Sequence, residues 1–270
     1  VLAALPPCGA YGYGLILASM ACGGKAIQCK QFDLDHVMNL IISEGVTIMA
    51  LTEPLLRKIL DHPLASRKAF RSLRIVFSAG GTLKPVVERA EQEFGFHITN
   101  VYGSSEILAL AAFWPATSDA ATRSAAGGHL VSTGMKVRAV DAAGAILPVQ
   151  TPGELQFSGP VRTHGYLSNP DATASAMTPD GWYRSQDLGT VLDESGTSFH
   201  YTARLNDAIR LKGFLVKPGE IEDMIQSHPL VSAAQVVGVP DNNGEDVAAA
   251  FVILKPDAGI DSEGLRNFCR

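Results

Sequence analysis

Helical and strand-like patterns alternate between residues 33 and 101, and this alternation constrains the fold more than any other feature of the sequence. The first predicted helix, 33–44, has apolar residues at helical spacing, Asp33 as a side-chain cap and Gly45 as its end. Strands are predicted next at 46–51, 73–78 and 97–101, and helices at 53–61 and 84–94. Strands that alternate with helices favour an α/β fold with a doubly wound, mostly parallel sheet.

Shorter strands and tight turns replace this pattern in the second half of the chain. Residues 115–128 are rich in Ala, Ser and Thr and are expected to form a loop. Strands are then predicted at 136–140, 153–157, 188–192 and 198–201, with hairpin-type turns at 141–144 and 193–196. This part of the chain is therefore expected to form a small β subdomain packed on the α/β part.

A small α+β C-terminal domain is predicted after Arg204. It has a helix at 220–227, strands at 233–239 and 247–254, and a further helix that starts at Asp261. The predicted domains are a partial large domain, 1–203, and a truncated small C-terminal domain, 204–270. Within the large domain, about 1–115 is the α/β part and 116–203 is the β subdomain.

Composition and charge exclude several classes of protein. The chain has 270 residues and a net charge of -5, which gives no sign of a nucleic-acid partner. Its apolar runs are too short for a membrane span. The four cysteines lack metal-ligand spacing and are typical of reduced thiols, so that a cytoplasmic location is expected. The oligomeric state is left open.

Two loops, 78–82 and 102–106, directly follow predicted strands. Ligands of doubly wound sheets bind at the carboxyl ends of the strands, so both loops are candidates for a binding site. The first loop reads Ser-Ala-Gly-Gly-Thr and the second reads Tyr-Gly-Ser-Ser-Glu. The alternative is that both are ordinary strand-to-helix connections.

Three segments in the same order resemble the adenylate-forming superfamily, which includes acyl-CoA synthetases, peptide-synthetase adenylation domains and firefly luciferase. They are 101–106 (VYGSSE), 181–187 (GWYRSQD) and 204–222 (RLNDAIRLKGFLVKPGEIE). Each segment is a weak signal alone, and the three in order are a strong one. The resemblance covers nearly the whole chain.

This resemblance implies roles for individual residues. Glu106 would bind Mg²⁺, Ser105 would contact a phosphate oxygen, and Asp187 would accept hydrogen bonds from the ribose hydroxyls. Arg204 would contact the nucleotide, Asn206 would be the hinge, and Gly213 would present the face used in the thioester step. The remaining residues implied to bind ATP or AMP are Gly80, Gly81, Thr82, Tyr102, whose ring would stack on the purine, and Gly103.

The acyl pocket is expected near an apolar helix predicted at about 14–23 and the loop before it. Gly9 stands where the family usually has His or an aromatic residue, which would leave room for a bulkier acyl group. Its alternative is an ordinary glycine-rich turn. The predicted pocket residues are Gly9, Tyr11, Ser104 and Leu110.

The resemblance implies ATP-dependent activation of a carboxylic acid to an acyl-adenylate, which then forms a thioester with CoA. The segment 9–17 contains no acidic residue to pair with an amino-acid ammonium, so an aryl or a medium to long acyl acid is favoured. The alternatives are a peptide-synthetase-type domain that loads a carrier protein, and a fragment that only binds nucleotide.

The chain is expected to be part of a longer protein. The family's phosphate loop would precede Val1, and its catalytic Lys would follow Arg270, so the isolated chain is expected to be inactive. Ser185 and Gln186 also depart from the family's Thr-Gly pair before the aspartate, and Asn206 departs from the usual acidic or Lys hinge. The glutamine would add bulk near the ribose.

Overall fold

A computed structural model describes residues 1–80, 83–205, 209–211, 214–216, 218–240, 246–256 and 258–269. The strands are β1 (Leu2–Ala3), β2 (Ile27–Gln28), β3 (Ile48–Thr52), β4 (Ile75–Ala79), β5 (His97–Tyr102), β6 (Ala112–Phe113), β7 (Gly127–Leu130), β8 (Lys136–Val140), β9 (Pro152–Ser158), β10 (Tyr183–Val191), β11 (Ser198–Arg204), β12 (Ile209–Leu211), β13 (Phe214–Val216), β14 (Val231–Pro240) and β15 (Asp246–Leu254). The helices are α1 (Ala10–Ala21), α2 (Leu34–Ser43), α3 (Glu53–Leu60), α4 (Lys84–Arg89), α5 (Ala120–Ser124), α6 (Pro170–Ala176), α7 (Pro218–Gln226) and α8 (Ser262–Phe268).

The described residues form one large sheet in the order β2-β1-β3-β4-β5-β6-β7-β11-β10-β9-β8. Strands β2, β1, β3, β4 and β5 pair in parallel. From β5 onward the pairs β5–β6, β6–β7, β7–β11 and β8–β9 are antiparallel. The predicted α/β fold class is confirmed, and the antiparallel strands continue the hydrogen bonding of the parallel sheet at β5.

Strand β3 shows how the sheet is covered on both faces. Met49 and Leu51 belong to the apolar core that includes residues of α2, α3 and α4. The alternate residues Ile48 and Ala50 pack in a second cluster with Leu15 of α1. Because successive strand residues point to opposite faces, α1 covers one face of the sheet and the other three helices cover the opposite face.

Several helix boundaries follow the local signals in the sequence. The Asp33 side chain accepts a hydrogen bond from the His36 amide, which confirms the predicted cap of α2. Residues 84–94 are helical as predicted, but α4 passes into a π-helical turn at Ala90–Phe94, which Gly95 ends with φ +84°. Positive φ at that position favours glycine.

Two predictions of local structure were wrong. The helix predicted at 14–23 begins at Ala10, with Gly9 as its cap. The segment 115–128, predicted as a loop, contains α5 and the first residues of β7. Helix α5 has a sequence signal, because the Asp119 side chain accepts a hydrogen bond from the Thr122 amide.

The chain divides into two compact units. The first comprises Val1–Ser185 with Gly189–Tyr201, and the second comprises Gln186–Leu188 with Thr202–Arg270. In the second unit, β14 and β15 form an antiparallel pair with a core that includes Ile209, Ile225, Val231 and Val236. Across the described parts of the chain, no helix combines the length and the apolar character that crossing a membrane requires.

Candidate functional site

The loop after β5 is held tightly by its own backbone. A side chain at Gly103 would lie 1.8 Å from the Ala109 carbonyl oxygen, so the position accepts only glycine. The Ala109 amide donates to the Ser104 carbonyl at 2.7 Å, and Leu108 and Ala109 have φ of +63° and +38°. These left-handed residues close the loop around a 3-10 turn at Ser105–Ile107, which carries Glu106.

The Glu106 carboxylate is surrounded by hydroxyl groups. Tyr166 donates a hydrogen bond from its hydroxyl to Glu106 Oε1 at 2.8 Å. Burial acts to raise the pKa of Glu106, but hydrogen bonds from Ser104, Tyr166, its own backbone amide and Tyr183 outweigh burial and hold the pKa below its usual value. Glu106 is therefore ionised at neutral pH, as a ligand for a hard cation must be.

The Tyr102 ring lies inside the core of the first unit. It is 7% exposed, stacks on Phe157 at 5.5 Å between ring centroids and meets Phe199 edge to face at 4.9 Å. Its stacking on a purine stays a prediction. Ser105, the predicted phosphate ligand, is exposed beside Glu106.

The glycine-rich loop after β4 is described only in part. A side chain on Gly80 would lie 2.6 Å from the Cβ atom of Glu53, so packing alone requires glycine at this position. Gly81 and Thr82 lie outside the described residues. The predicted role of this loop in nucleotide binding stays a prediction.

Two of the predicted acyl-pocket residues, Tyr11 and Leu110, pack on the same apolar cluster as Leu15 and Ala50. The Tyr11 hydroxyl donates to the Phe77 carbonyl oxygen at 3.0 Å, and burial raises the Tyr11 pKa well above its usual value, so this donor stays protonated. The structure therefore brings part of the predicted pocket together.

The two glycines around Tyr11 differ in what their positions allow. A side chain on Gly9 would lie 3.6 Å from the Pro6 carbonyl oxygen, an ordinary contact. A side chain on Gly12 would lie 2.4 Å from the same oxygen, which is a clash. Packing therefore requires glycine at position 12, whereas position 9 has room for at least a methyl group.

The second unit holds an ion pair between a buried carboxylate and a half-exposed guanidinium. Arg204 Nε lies 3.2 Å from Asp187 Oδ1, and the two side chains are 51% and 5% exposed. The amide of the next residue, Leu205, donates to the Gln186 carbonyl oxygen at 2.8 Å. The two residues that the resemblance assigns to ribose and nucleotide contacts therefore lie together.

Gln186, directly before Asp187, has a left-handed backbone with φ +57°. The family has glycine at this position, and glycine adopts such a φ without steric cost. The departure from the family pattern therefore places a residue with a side chain in a strained backbone conformation. The predicted hinge Asn206 and the predicted thioester-step residue Gly213 lie outside the described residues.

The donor set at Glu106 fits a magnesium ion that also binds phosphate oxygens and water. Proteins commonly hold Mg²⁺ with one or two carboxylates, while the substrate phosphates and water supply the other ligands. Within the described ranges, no group of three or more His, Cys, Asp or Glu residues could hold a metal by itself.

Sequence analysis did not predict that Tyr166 and Tyr183 donate hydrogen bonds to Glu106. Tyr183 lies in the 181–187 segment, but no contact with Glu106 was predicted for it. Burial, together with the Glu106 charge, raises the pKa of Tyr183 to about 12. Tyr166 and Glu106 are 60 residues apart in sequence. A Gly-Tyr pair before the Asn169-Pro170 helix start was the available signal for an ordered loop. Nothing in the local pattern connects that loop to Glu106.

Comparison with known protein families shows which family the chain belongs to. Residues 1–167 match the family of AMP-binding enzymes, and residues 220–270 match the AMP-binding enzyme C-terminal domain. The chain belongs to the AMP-binding enzyme family. This confirms the resemblance to the adenylate-forming superfamily that the three sequence segments indicated.

Individual members of this family are similar over almost the whole chain. A 4-coumarate–CoA ligase-like 4 protein of Oryza sativa subsp. japonica is 30% identical over 262 residues, 95% of this chain and 46% of that protein. 4-Coumarate–CoA ligase 4 of Arabidopsis thaliana is 30% identical over 260 residues, 94% of this chain and 45% of that protein. The chain thus spans about half the length of the curated relatives it matches.

The solved structure of ATP-bound MatB from Rhodopseudomonas palustris is similar in fold. Its TM-score is 0.86 with 25% sequence identity, and the match covers 99% of this chain and 52% of that one. The fold of the AMP-binding enzymes therefore extends over the chain.

Proposed function

We propose that the protein containing this chain uses ATP to activate a carboxylic acid and then transfers the acyl group to CoA. The observation that carries this proposal is the ionised Glu106 in a rigid loop at the carboxyl end of β5, within the segment that matches the AMP-binding enzymes. Relatives that are named CoA ligases support the choice of CoA as the acceptor.

In the first step, an oxygen of the substrate carboxylate attacks the α-phosphorus of ATP. The bond to the bridging oxygen breaks, and the products are an acyl-adenylate and pyrophosphate. The ionised Glu106 carboxylate would be a ligand of the metal ion, and the exposed Ser105 hydroxyl donates a hydrogen bond to a phosphate oxygen. A bound Mg²⁺ would stabilise the charge that builds up on the phosphate oxygens.

Asp187 and Arg204 have separate proposed roles toward the nucleotide. The buried Asp187 carboxylate accepts hydrogen bonds from the ribose hydroxyls, for which an ionised acceptor is well suited. Arg204 is half exposed beside Asp187, and its guanidinium is proposed to contact the nucleotide. Gly80, Gly81, Thr82, Tyr102 and Gly103 are proposed to contact the nucleotide.

In the second step, the CoA thiol loses its proton and its sulfur attacks the acyl carbonyl carbon. The bond between the acyl carbonyl carbon and the phosphate oxygen of AMP breaks, and AMP leaves with the electron pair. Asn206 as the pivot between the two steps and Gly213 as part of the thioester-step face are proposals for residues outside the described ranges. A carrier-protein thiol is the alternative acceptor.

We favour an aryl or a medium to long acyl acid as the substrate. The segment 9–17 offers no carboxylate for an amino-acid ammonium, and a buried unpaired ammonium would be costly. Tyr11 and Leu110 supply an apolar surface, and position 9 has room for at least a methyl group. The similarity to proteins named 4-coumarate–CoA ligases favours the aryl class.

The test is acid-dependent ATP–pyrophosphate exchange by the protein expressed from its full-length gene, with aryl acids, medium- and long-chain fatty acids and amino acids compared. We expect exchange with an aryl or fatty acid and thioester formation when CoA is added. Exchange with amino acids alone, or no exchange with any acid while AMP fails to bind in a calorimetric titration, would contradict the proposal. Cytoplasmic location stays a prediction.

A further inference from the structure

The carboxylate of Glu106 has one side-chain donor whose hydrogen bond has regular geometry in the described structure. Tyr166 donates to Oε1 at 2.8 Å. The Ser104 hydroxyl also lies beside the carboxylate, but the described residues give its oxygen no well-aligned partner. Tyr183 also contributes to the lowered pKa of Glu106, after Ser104 and Tyr166, but Tyr166 is the side chain with a regular hydrogen bond that sets the direction of the carboxylate.

The Tyr166 hydroxyl is an uncharged hydrogen-bond donor to the Glu106 carboxylate. Burial, the hydrogen bond to Glu106 and the charge of Glu106 raise the pKa of Tyr166 above its usual value. A neutral donor stabilises the ionised carboxylate without cancelling its charge. This differs from a Lys or Arg partner, which would compete with a metal ion for the same oxygen atoms.

The loop that carries Tyr166 is tied to Glu106 at a second point. The Thr163 amide donates to the Glu106 carbonyl oxygen at 2.7 Å. The Thr163 hydroxyl then donates to the Gly165 carbonyl oxygen at 3.1 Å and accepts from the Gly165 amide at 3.3 Å. Both the backbone and the side chain of Glu106 are thus held by the same loop.

Helix α6 anchors the other side of this loop. The Tyr166 amide donates to the Thr173 hydroxyl at 2.9 Å, and that hydroxyl donates to the Asn169 carbonyl oxygen at 2.9 Å. A side chain on Gly165, whose φ is +156°, would lie 2.5 Å from a Thr173 methyl carbon, so only glycine permits the close approach. The backbone at Tyr166 is therefore held in place by its hydrogen bond to Thr173 of α6.

We propose that Tyr166 is a positioning residue for the metal–nucleotide site: its hydroxyl and its loop hold the Glu106 carboxylate oriented for a divalent cation bound with ATP. This role rests on the proposed function. Hydrogen-bond partners of metal-binding carboxylates orient the ligand and tune its basicity, and their loss weakens metal binding roughly 10- to 100-fold. Tyr166 does not itself touch the metal or the reacting atoms.

The experiment uses the full-length protein with Tyr166→Phe, which removes only the hydroxyl, and with Tyr13→Phe as the matched control. Tyr13 is 50% exposed and lies on α1. The pKa of Glu106 is measured by NMR titration of ¹³C-labelled glutamate carboxyls, with the resonance assigned from its absence in Glu106→Gln. We expect a higher pKa in Tyr166→Phe and the wild-type pKa in Tyr13→Phe.

The second measurement is Mn²⁺ binding in the presence of ATP, followed by electron paramagnetic resonance from acid to neutral pH. We expect affinity to fall roughly tenfold or more in Tyr166→Phe, with the loss of binding on acidification moved to higher pH. The sign follows because a carboxylate with a raised pKa becomes protonated earlier as the pH falls.

Thr173→Ala and Thr173→Ser separate positioning from a general loss of folding. The serine variant keeps the hydroxyl that accepts from the Tyr166 amide, so we expect near-wild-type Mn²⁺ affinity, whereas the alanine variant weakens it. An unchanged Glu106 pKa and unchanged Mn²⁺–ATP affinity in Tyr166→Phe would overturn the positioning role. If the wild-type full-length protein binds no Mn²⁺–ATP, the proposed function fails at this site, and the metal role of Tyr166 fails with it.

Discussion

The two carboxylates proposed to serve the nucleotide, Glu106 and Asp187, are stabilised in opposite ways. Glu106 lies beside hydroxyl and backbone donors, which lower its pKa but leave its negative charge uncancelled. Asp187 is nearly buried and pairs with the Arg204 guanidinium at 3.2 Å. One carboxylate is held by neutral groups and the other by a cation.

This difference indicates which type of ligand suits each carboxylate. An ionised carboxylate whose described partners are neutral suits a divalent cation, whose positive charge would complete the site. A carboxylate that is already charge-paired gains little from a second cation and suits neutral hydroxyl donors better. The comparison therefore supports the proposed roles, the metal for Glu106 and the ribose hydroxyls for Asp187.

The largest effect that this comparison predicts comes from removing the charge of Glu106. In the full-length protein, Glu106→Gln should reduce acid-dependent ATP–pyrophosphate exchange by about 100-fold or more, in the range found when one electrostatic contact to the transition state is lost. The side chain keeps its shape, so thermal unfolding should change little. Glu88→Gln, on the exposed face of α4, is the control and should keep full activity; equal activity of the two variants would break the comparison.

A smaller effect is expected from Arg204→Met, which leaves the buried Asp187 without its cation. The free energy of unfolding should fall by about 1–2 kcal/mol, less than for a fully buried pair because the Arg204 side chain is half exposed. Denaturant unfolding of the chain measures it. In the double variant with Asp187→Asn, most of the loss should be recovered; simple additivity of the two losses would show that the pair is not coupled.

Gln186→Gly should stabilise the chain by about 1 kcal/mol, because glycine accepts φ +57° without the steric cost that a side chain carries. Denaturant unfolding is again the measurement, with Gln186→Ala as the control. Alanine keeps the strain, so it should give no stabilisation. A gain in the alanine variant as large as in the glycine variant would mean that the side chain, and not the backbone, is responsible.

The smallest effect is expected at the corresponding strained residue beside Glu106. Leu108→Gly also relieves a left-handed backbone, with φ +63°, but it removes a side chain that is still more than half buried. The two contributions offset each other, and the net change should stay below about 0.5 kcal/mol. A stabilisation equal to that of Gln186→Gly would show that the Leu108 side chain contributes nothing to packing.

Sequence reasoning succeeded where the physical cause is local. The Asp33 cap bonds to an amide three residues away, and the bounds of β8 match the predicted strand at 136–140. The order of the three motifs also predicted the family correctly. For the cap and the strand, the residues that decide the outcome lie within a few positions of one another, whereas the family signal needs three local motifs in order between residues 101 and 222.

The support of the candidate site could not be predicted because its contacts are distant in sequence. Tyr166 reaches Glu106 across 60 residues, and only the folded chain brings the loop before α6 to the loop after β5. The short strands β1, β6 and β7 were missed for the same reason, since they are defined by pairing partners and not by their own pattern. The strain at Gln186 is visible only in the backbone.

The most direct test of the contrast between Glu106 and Asp187 is an anomalous difference map from crystals of this chain grown with ATP and Mn²⁺. The neutral donors around Glu106 and the cation beside Asp187 predict one manganese peak within about 2.2 Å of a Glu106 carboxylate oxygen and no peak at Asp187. A manganese peak at Asp187, or ATP bound without manganese at Glu106, would contradict the assignment.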